Sequence, residues 1–259
     1  MGDTGDPSFE PVAHWPRQEM DGECQLLISS PDHRIRIGWF GDHFDVWKIS
    51  AAPDAVSAAR WTASFSADMP AEMVRDFIAA LATAWGEDSD AFLTDSSYYW
   101  PDAVRPLLDA GWQRPPVARG SMEILSPDHL AGAVIDVAST DPDAETVTLW
   151  AGPGRWPLRA EANFTARTPK HLIAAMAASF VAPTPIARYQ TSLSPRVAQV
   201  AHLTPVQPPR PPAPTPLDVQ QAAAYRRPPA LGTRGVPRWS TTSRPASPSP
   251  PPARPGPRR

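Results

Sequence analysis

Cysteine occurs once in this chain of 259 residues, at Cys24, and lysine twice, at Lys48 and Lys170. A single thiol excludes an internal disulfide and any thiolate metal cluster, and it suits a reducing compartment. The six histidines are His14, His33, His43, His129, His171 and His202, and no two stand three or four residues apart. A helical pair of imidazole ligands is thereby absent. No Walker A sequence and no GxGxxG is present, so the usual backbone cradles for phosphate are missing. Long hydrophobic runs are missing too. The longest uncharged stretch, residues 172–187, is amphipathic and broken by Pro183 and Pro185, which predicts no membrane span. The opening residues Met1 to Asp6 are acidic and lack the basic and apolar regions of a signal peptide, and Asp6 stands where a myristoylation signal needs Ser or Thr. These absences predict a cytoplasmic protein.

The charge that is present is divided unevenly. Residues 1–182 carry 13 Lys and Arg against 26 Asp and Glu, whereas residues 183–259 carry 11 Arg and one acid, Asp218. The body is therefore −13 and the tail +10, which restores the total of −3. The tail also holds 20 of the 35 prolines. Stretches such as Pro208 to Pro216 favour extended polyproline geometry and bury almost nothing, so composition predicts a disordered appendage. Arginine so far in excess of lysine also fits a GC-rich coding bias, under which such a tail can arise without selection.

The body says much the same thing twice. Ser30-Pro31-Asp32-His33 returns as Ser126-Pro127-Asp128-His129, 96 residues later. Phe65-Ser66-Ala67-Asp68-Met69-Pro70 is echoed 99 residues on by Phe164-Thr165-Ala166-Arg167-Thr168-Pro169. Met73, Val74, Phe77, Ile78 and Leu81 correspond to Leu172, Ile173, Met176, Ala177 and Phe180, the i, i+3, i+4, i+7 stripe of a helix lying on a core. Pro70 and Pro169 suit a first helical turn, and Thr168 is a candidate N-cap. Upstream the period falls to two, with Ile35, Ile37 and Trp39, then Trp61, Ala63 and Phe65, then Leu158, Ala160, Ala162 and Phe164 on one face of each strand. Trp47 and Trp150, 103 apart, read as equivalent strand tryptophans.

The fold class expected is α+β: two tandem antiparallel meander-plus-helix (ββββα) repeats followed by a disordered Pro/Arg-rich C-terminal tail. The repeats occupy residues 12–90 and 120–182. An inter-repeat linker with a short helix, Asp102 to Ala110, fills 91–119, and the tail covers 183–259.

The Ser-Pro-Asp turn, the aromatic-bearing strand after it, the Pro-led helix and the intervening Pro106-Leu107-Leu108-Asp109-Ala110-Gly111-Trp112 resemble the SPDY-motif family of actinobacteria. That family is a domain of unknown function, family 317, often found as two tandem copies. The resemblance covers residues 12–182 and implies the repeat architecture. The family's usual Tyr is His33 and His129 here, so no role tied to a phenol carries over, and the family has no assigned reaction to transfer.

Asp32-His33 and Asp128-His129 are the sharpest candidates for chemistry, because a carboxylate beside an imidazole can ligate metal or exchange protons. A simpler reading competes. Ser at the first, Pro at the second and Asp at the third position suit a type I turn at a hairpin corner. Cys24 could serve as a nucleophile with a distant His, but its place before the apolar run Leu26-Leu27-Ile28 favours a buried, inert thiol. We expect no catalytic residue, no metal site and no cofactor.

Ser96-Ser97-Tyr98-Tyr99-Trp100-Pro101 sets three aromatics side by side, and Trp112 follows the short helix. Three adjacent rings cannot all enter one core from an extended segment. Tyr98, Tyr99, Trp100 and Trp112 are therefore candidate partner-binding residues, or else staples between the repeats. The expected function is a non-catalytic interaction module with a protein partner. The alternative is a nucleic-acid-associated accessory protein whose basic tail binds weakly and without sequence preference, and an enzyme built on the Asp-His turns comes last.

Overall fold

A computed structural model describes residues 7–41, 44–87, 90–94, 99–116, 120–153, 159–182, 184–188, 195–206 and 214–226. The chain divides into two compact units, Met1–Pro205 and Val206–Arg259.

In the first unit the period-two runs become nine strands: β1 (Arg17–Glu19), β2 (Leu26–Ser29), β3 (Ile35–Trp39), β4 (Asp45–Ala51), β5 (Trp61–Ser66), β6 (Ser121–Leu125), β7 (Ala131–Asp136), β8 (Glu145–Ala151) and β9 (Ala160–Thr165). They form one antiparallel sheet in the order β1-β2-β3-β4-β5-β9-β8-β7-β6. Eight of these answer the sequence reading. The ninth, β1, is three residues, Arg-Gln-Glu, too short and too polar to show an apolar period.

Two meanders thus meet back to back at β5 and β9. Ala63 lies opposite Phe164, Ser64 opposite Asn163 and Phe65 opposite Ala162. At the 99-residue offset these pairs exchange with one another and Ser64–Asn163 maps onto itself, as an approximate two-fold axis through that pair requires. The ladder stops after three pairs, and a hydroxyl extends it at each end. The Thr62 N–H donates to Thr165 Oγ1 at 3.0 Å, and the Glu161 N–H donates to Ser66 Oγ at 2.9 Å.

The helical stripes cover one face of this seam. In α1 (Ala71–Gly86), Val74, Phe77, Ile78 and Leu81 are buried, as are Leu172, Ile173, Met176 and Ala177 of α3 (Lys170–Val181). The Phe77 ring centroid lies 5.3 Å from that of Phe65 and 5.6 Å from that of Phe164. Burying each of the Val, Leu, Ile, Met and Phe side chains among them contributes roughly 1.5–3 kcal/mol. Pro70 and Pro169 are the N-cap residues themselves, with ψ of 129°. Thr168 therefore falls one residue short of the expected cap, and its buried hydroxyl turns instead to the Thr62 carbonyl at 3.4 Å.

Two further segments complete the helical layer. A 3-10 helix, Pro7–Val12, packs on α1, and α2 (Pro101–Asp109) packs on α3. Each is followed by a Trp and then an extended residue on the neighbouring strand. The Ser29 N–H donates to the Pro16 carbonyl at 3.0 Å, and the Leu125 N–H to that of Gln113 at 2.8 Å.

The two tryptophans expected to be equivalent are not. Trp47 lies opposite Phe65, and Val147 lies opposite Phe164, so Val147 is its counterpart. Trp150 lies opposite Glu161 and matches Ser50, which faces Thr62. The difference is three residues, an odd number, which in a strand moves a side chain to the other face. Trp150 lies over Gly132, where a Cβ would meet its ring at 2.7 Å.

Among the described residues of the stretch expected to be a disordered tail, two helices form, α4 (Pro195–Val200) in the first unit and α5 (Pro216–Arg226) in the second. The start of α5 has a local cause. The Thr215 hydroxyl and N–H both donate to Asp218 Oδ2, and the Asp218 N–H donates to Thr215 Oγ1, a reciprocal cap ahead of an Ala- and Gln-rich run. Nearer the body, Arg188 pairs with Glu72 in the first turn of α1. Most of the polyproline stretch from Pro208 lies outside the described residues. Among the described residues no helix is long and apolar enough to cross a membrane.

Candidate functional site

Each Ser-Pro-Asp-His motif forms the corner between two strands. The His33 N–H donates to the Ser30 carbonyl at 2.8 Å, and the His129 N–H to that of Ser126 at 3.0 Å. Neither Asp has a positive φ, which leaves the type I form expected from the residue order. The buried serines lock the turn. The Ser30 hydroxyl donates to Asp32 Oδ1 at 2.6 Å and accepts the Ile35 N–H at 2.9 Å. Ser126 does the same with Asp128 at 2.6 Å and the Ala131 N–H at 3.0 Å. The same Asp oxygens accept the N–H of Arg34 at 3.2 Å and of Leu130 at 3.0 Å.

Those donors set the electrostatics. Burial raises the Asp32 pKa, but the Ser30 hydroxyl, the Trp85 indole and the Arg34 backbone and charge outweigh it, leaving the group below its ordinary value. Asp128 is lowered chiefly by the Ser126 hydroxyl, then by the Leu130 backbone N–H. A carboxylate held ionised by structural donors is a poor proton acceptor near neutral pH. His33 and His129 adopt the left-handed region, with φ of 59° and 58°, which turns each imidazole outward at an exposed tip. The antiparallel junction of β5 with β9 puts the β2–β3 corner and the β6–β7 corner at opposite ends of the sheet. The two Asp-His pairs therefore do not share one site. Among the described residues no group of three or more His, Cys, Asp or Glu could hold a metal ion.

The first corner has partners beyond its turn, which the sequence reading did not single out. Trp85 Nε1 donates to Asp32 Oδ2 at 3.0 Å. Arg34 pairs with Asp90 at 2.8 Å, and its guanidinium lies 4.7 Å from the centroid of the Phe92 ring. Only tertiary structure joins these positions, so no local sequence signal marks them.

The aromatic candidates separate. Tyr99 is 63% exposed, whereas Trp100 and Trp112 are half-buried against the core. Trp100 sits at the N-cap of α2 with the Arg114 guanidinium 5.5 Å from its ring centroid, and its own ring is 6.3 Å from that of Tyr99. Tyr98 lies outside the described residues. Cys24 is half-buried before β2, its thiol directed at the Leu26 carbonyl at 3.4 Å, and burial raises its pKa. A thiol shifted that way is a weaker nucleophile at neutral pH.

The sheet face turned away from α1 and α3 is polar. Arg36, Lys48, Thr62, Ser121, Glu123 and Asp136 stand exposed on it. Near its middle, Arg159 Nε donates to buried Glu161 at 2.7 Å while its guanidinium lies 4.4 Å from the centroid of the Trp150 ring. Partial burial and the carboxylates of Asp45 and Glu161 raise the pKa of Glu145, and Lys48 offsets part of that. The polar half of the strand alternation was the sequence signal for this surface.

Residues 29–86 match the model of the SPDY family, a domain of unknown function (DUF317). The matched span runs from the last residue of β2 through α1 and includes the first corner. No curated protein and no solved structure matches the chain.

Proposed function

We propose that the chain is a non-catalytic interaction module made of two tandem SPDY-like units, the second built on β6–β9 and α3. Each unit also takes in the helical segment and Trp ahead of its sheet, so residues 101–113 belong to the second unit rather than to a linker. The observation that supports a non-catalytic reading most is the commitment of both Asp carboxylates to turn hydrogen bonds. The partner-binding candidate is Tyr99 with Trp100 and Arg114 beside it, an aromatic and arginine group of the kind enriched where proteins bind one another. The test is to identify a protein that co-purifies with the intact chain and to measure its affinity for Tyr99→Ala. A loss of about tenfold or more supports this surface; unchanged affinity moves the contact elsewhere.

The charge partition supports a second reading, nucleic-acid association through residues 183–259 with their formal +10. Retention on DNA that falls steeply with salt and disappears when the chain ends at residue 205 would favour it. Retention unchanged by that truncation would transfer the binding to the sheet-bearing unit.

A further inference from the structure

We propose that the open face of the nine-stranded sheet is a self-association surface on which a second copy of this chain sits face to face, its two-fold axis parallel to the strands. This goes beyond the partner reading above and stands or falls separately from it.

The size of the face is the first argument. Nine strands spaced by about 4.8 Å and presenting about five residues each at ~3.3 Å per residue span at most roughly 700 Å², of which the part over Ser64, Trp150, Glu161 and Thr165 is already buried. A stable protein interface buries about 800 Å² on each partner. The charges are the second. Arg36 and Lys48 lie in the first half of the face, and Glu123 and Asp136 in the second, all exposed.

The pairing register turns this asymmetry into a geometry. Arg36 lies opposite Ser50, Ser50 opposite Thr62, and the Thr62 N–H reaches Thr165. Asp136 extends the same row on the far side, one residue beyond the Ile135–Val147 pair. β3 and β7 each stand two strands from the central seam. An axis parallel to the strands at that seam carries β3 over β7 of the partner without changing level, so Arg36 faces Asp136 of the partner. In the next row, Val134 faces the glycine Gly38, and Lys48 faces Thr148. An axis lying across the strands would instead set the basic half on the basic half and the acidic on the acidic, which like-charge repulsion disfavours.

The test uses two full-length variants, Arg36→Glu with Lys48→Glu, and Glu123→Lys with Asp136→Lys. Asp136 Oδ1 also accepts the N–H groups of Ala138 and Ser139, so Glu123→Lys with Asp136→Asn, which keeps that acceptor and removes the charge, serves if the double variant melts early. Wild type should sediment at low salt with twice its 28.1 kDa mass. Each variant alone opposes no unlike charges at positions 36, 48, 123 and 136 and should be monomeric, with dimer affinity weakened at least tenfold, about 1.4 kcal/mol. Mixing the two should restore a dimer containing one of each, because both contacts then join opposite charges. A monomeric wild type overturns the proposal. So does a dimer indifferent to the substitutions, or two monomeric variants that fail to combine.

Discussion

The corner at Ser30–His33 and the corner at Ser126–His129 have the same internal hydrogen bonds and nearly the same backbone, yet they hold different things. At the first, Asp32 also accepts the Trp85 indole N–H from the last turns of α1, and Arg34 reaches Asp90 and the Phe92 ring. At the second, Leu130 stands where Arg34 does, and α3 has 12 residues against 16 in α1. The counterpart of Trp85 at the 99-residue offset is Thr184, three residues beyond the end of α3. The turn is thus a local product of Ser, Pro and Asp, which any copy of the motif forms. The tie to a helix is a separate tertiary feature, and it requires a long helix ending in an indole.

If the halves share a core at the seam, they should fail together there. Phe65 and Phe164 are fully buried and their ring centroids lie 5.9 Å apart. Phe65→Ala and Phe164→Ala should each cost roughly 3–5 kcal/mol in chemical unfolding, the two values lying close to each other. A large cost for one with little for the other would mean that the halves do not meet as equals.

The next effect belongs to the corners. Ser30→Ala removes the acceptor for the Ile35 N–H and a donor to Asp32, and Ser126→Ala does the same to Ala131 and Asp128. Leaving a buried N–H without its partner costs about 1–3 kcal/mol. Equal losses in the two variants would confirm that the turn is local; a much smaller loss at Ser126 would show that the tie to α1 stiffens the first turn.

What could be read in the sequence divides along the same line. The helical stripe from Met73 to Leu81, the alternation of Trp61, Ala63 and Phe65 and the Ser-Pro-Asp turn are periodic or local, and each took the form its residues dictate. The Trp47 and Trp150 correspondence failed because residue type was matched where strand parity decides. β1 escaped because three polar residues show no period. The cap of α5 was legible as Thr215-Pro216-Leu217-Asp218 but was hidden by the proline content around it. Trp85 with Asp32, and the hydroxyl bridges of Ser66 and Thr165, span 53 to 103 residues, so no window of sequence contains them.

Trp85→Phe sharpens the comparison of the corners directly. It keeps the ring packed against Trp15, whose centroid is 5.3 Å away, and removes only the donor to Asp32. The loss should be about 1 kcal/mol at neutral pH. A depressed carboxylate pKa contributes stability that is present above the unfolded value, about 3.9, and is lost as pH falls through the folded value. Removing one donor lets the Asp32 pKa rise toward that unfolded value, so the variant should lose less stability than wild type on acidification. Asp128 should titrate unchanged in the same protein, as carboxyl NMR shifts would report. Equal movement of both carboxyls would mean that the corners are coupled.

The smallest expected effect tests the one feature in which the corners are alike and both depart from ideal turn chemistry. His33 and His129 occupy the left-handed region, which favours glycine because a Cβ crowds the following carbonyl. Glycine relieves that crowding but adds freedom to the unfolded chain, and the two terms oppose each other. His33→Gly and His129→Gly should therefore raise stability by less than about 1 kcal/mol, and by the same amount at both corners. A β-branched residue meets the crowding without relief, so His33→Val and His129→Val should each cost about 1–2 kcal/mol. Neither imidazole takes part in the turn's hydrogen bonds, so Asn, which tolerates this region, should replace each His without loss. A loss on His33→Asn that His129→Asn does not share would give the first imidazole a role beyond the turn, on the side of the molecule where Asp32, Arg34 and Trp85 already converge.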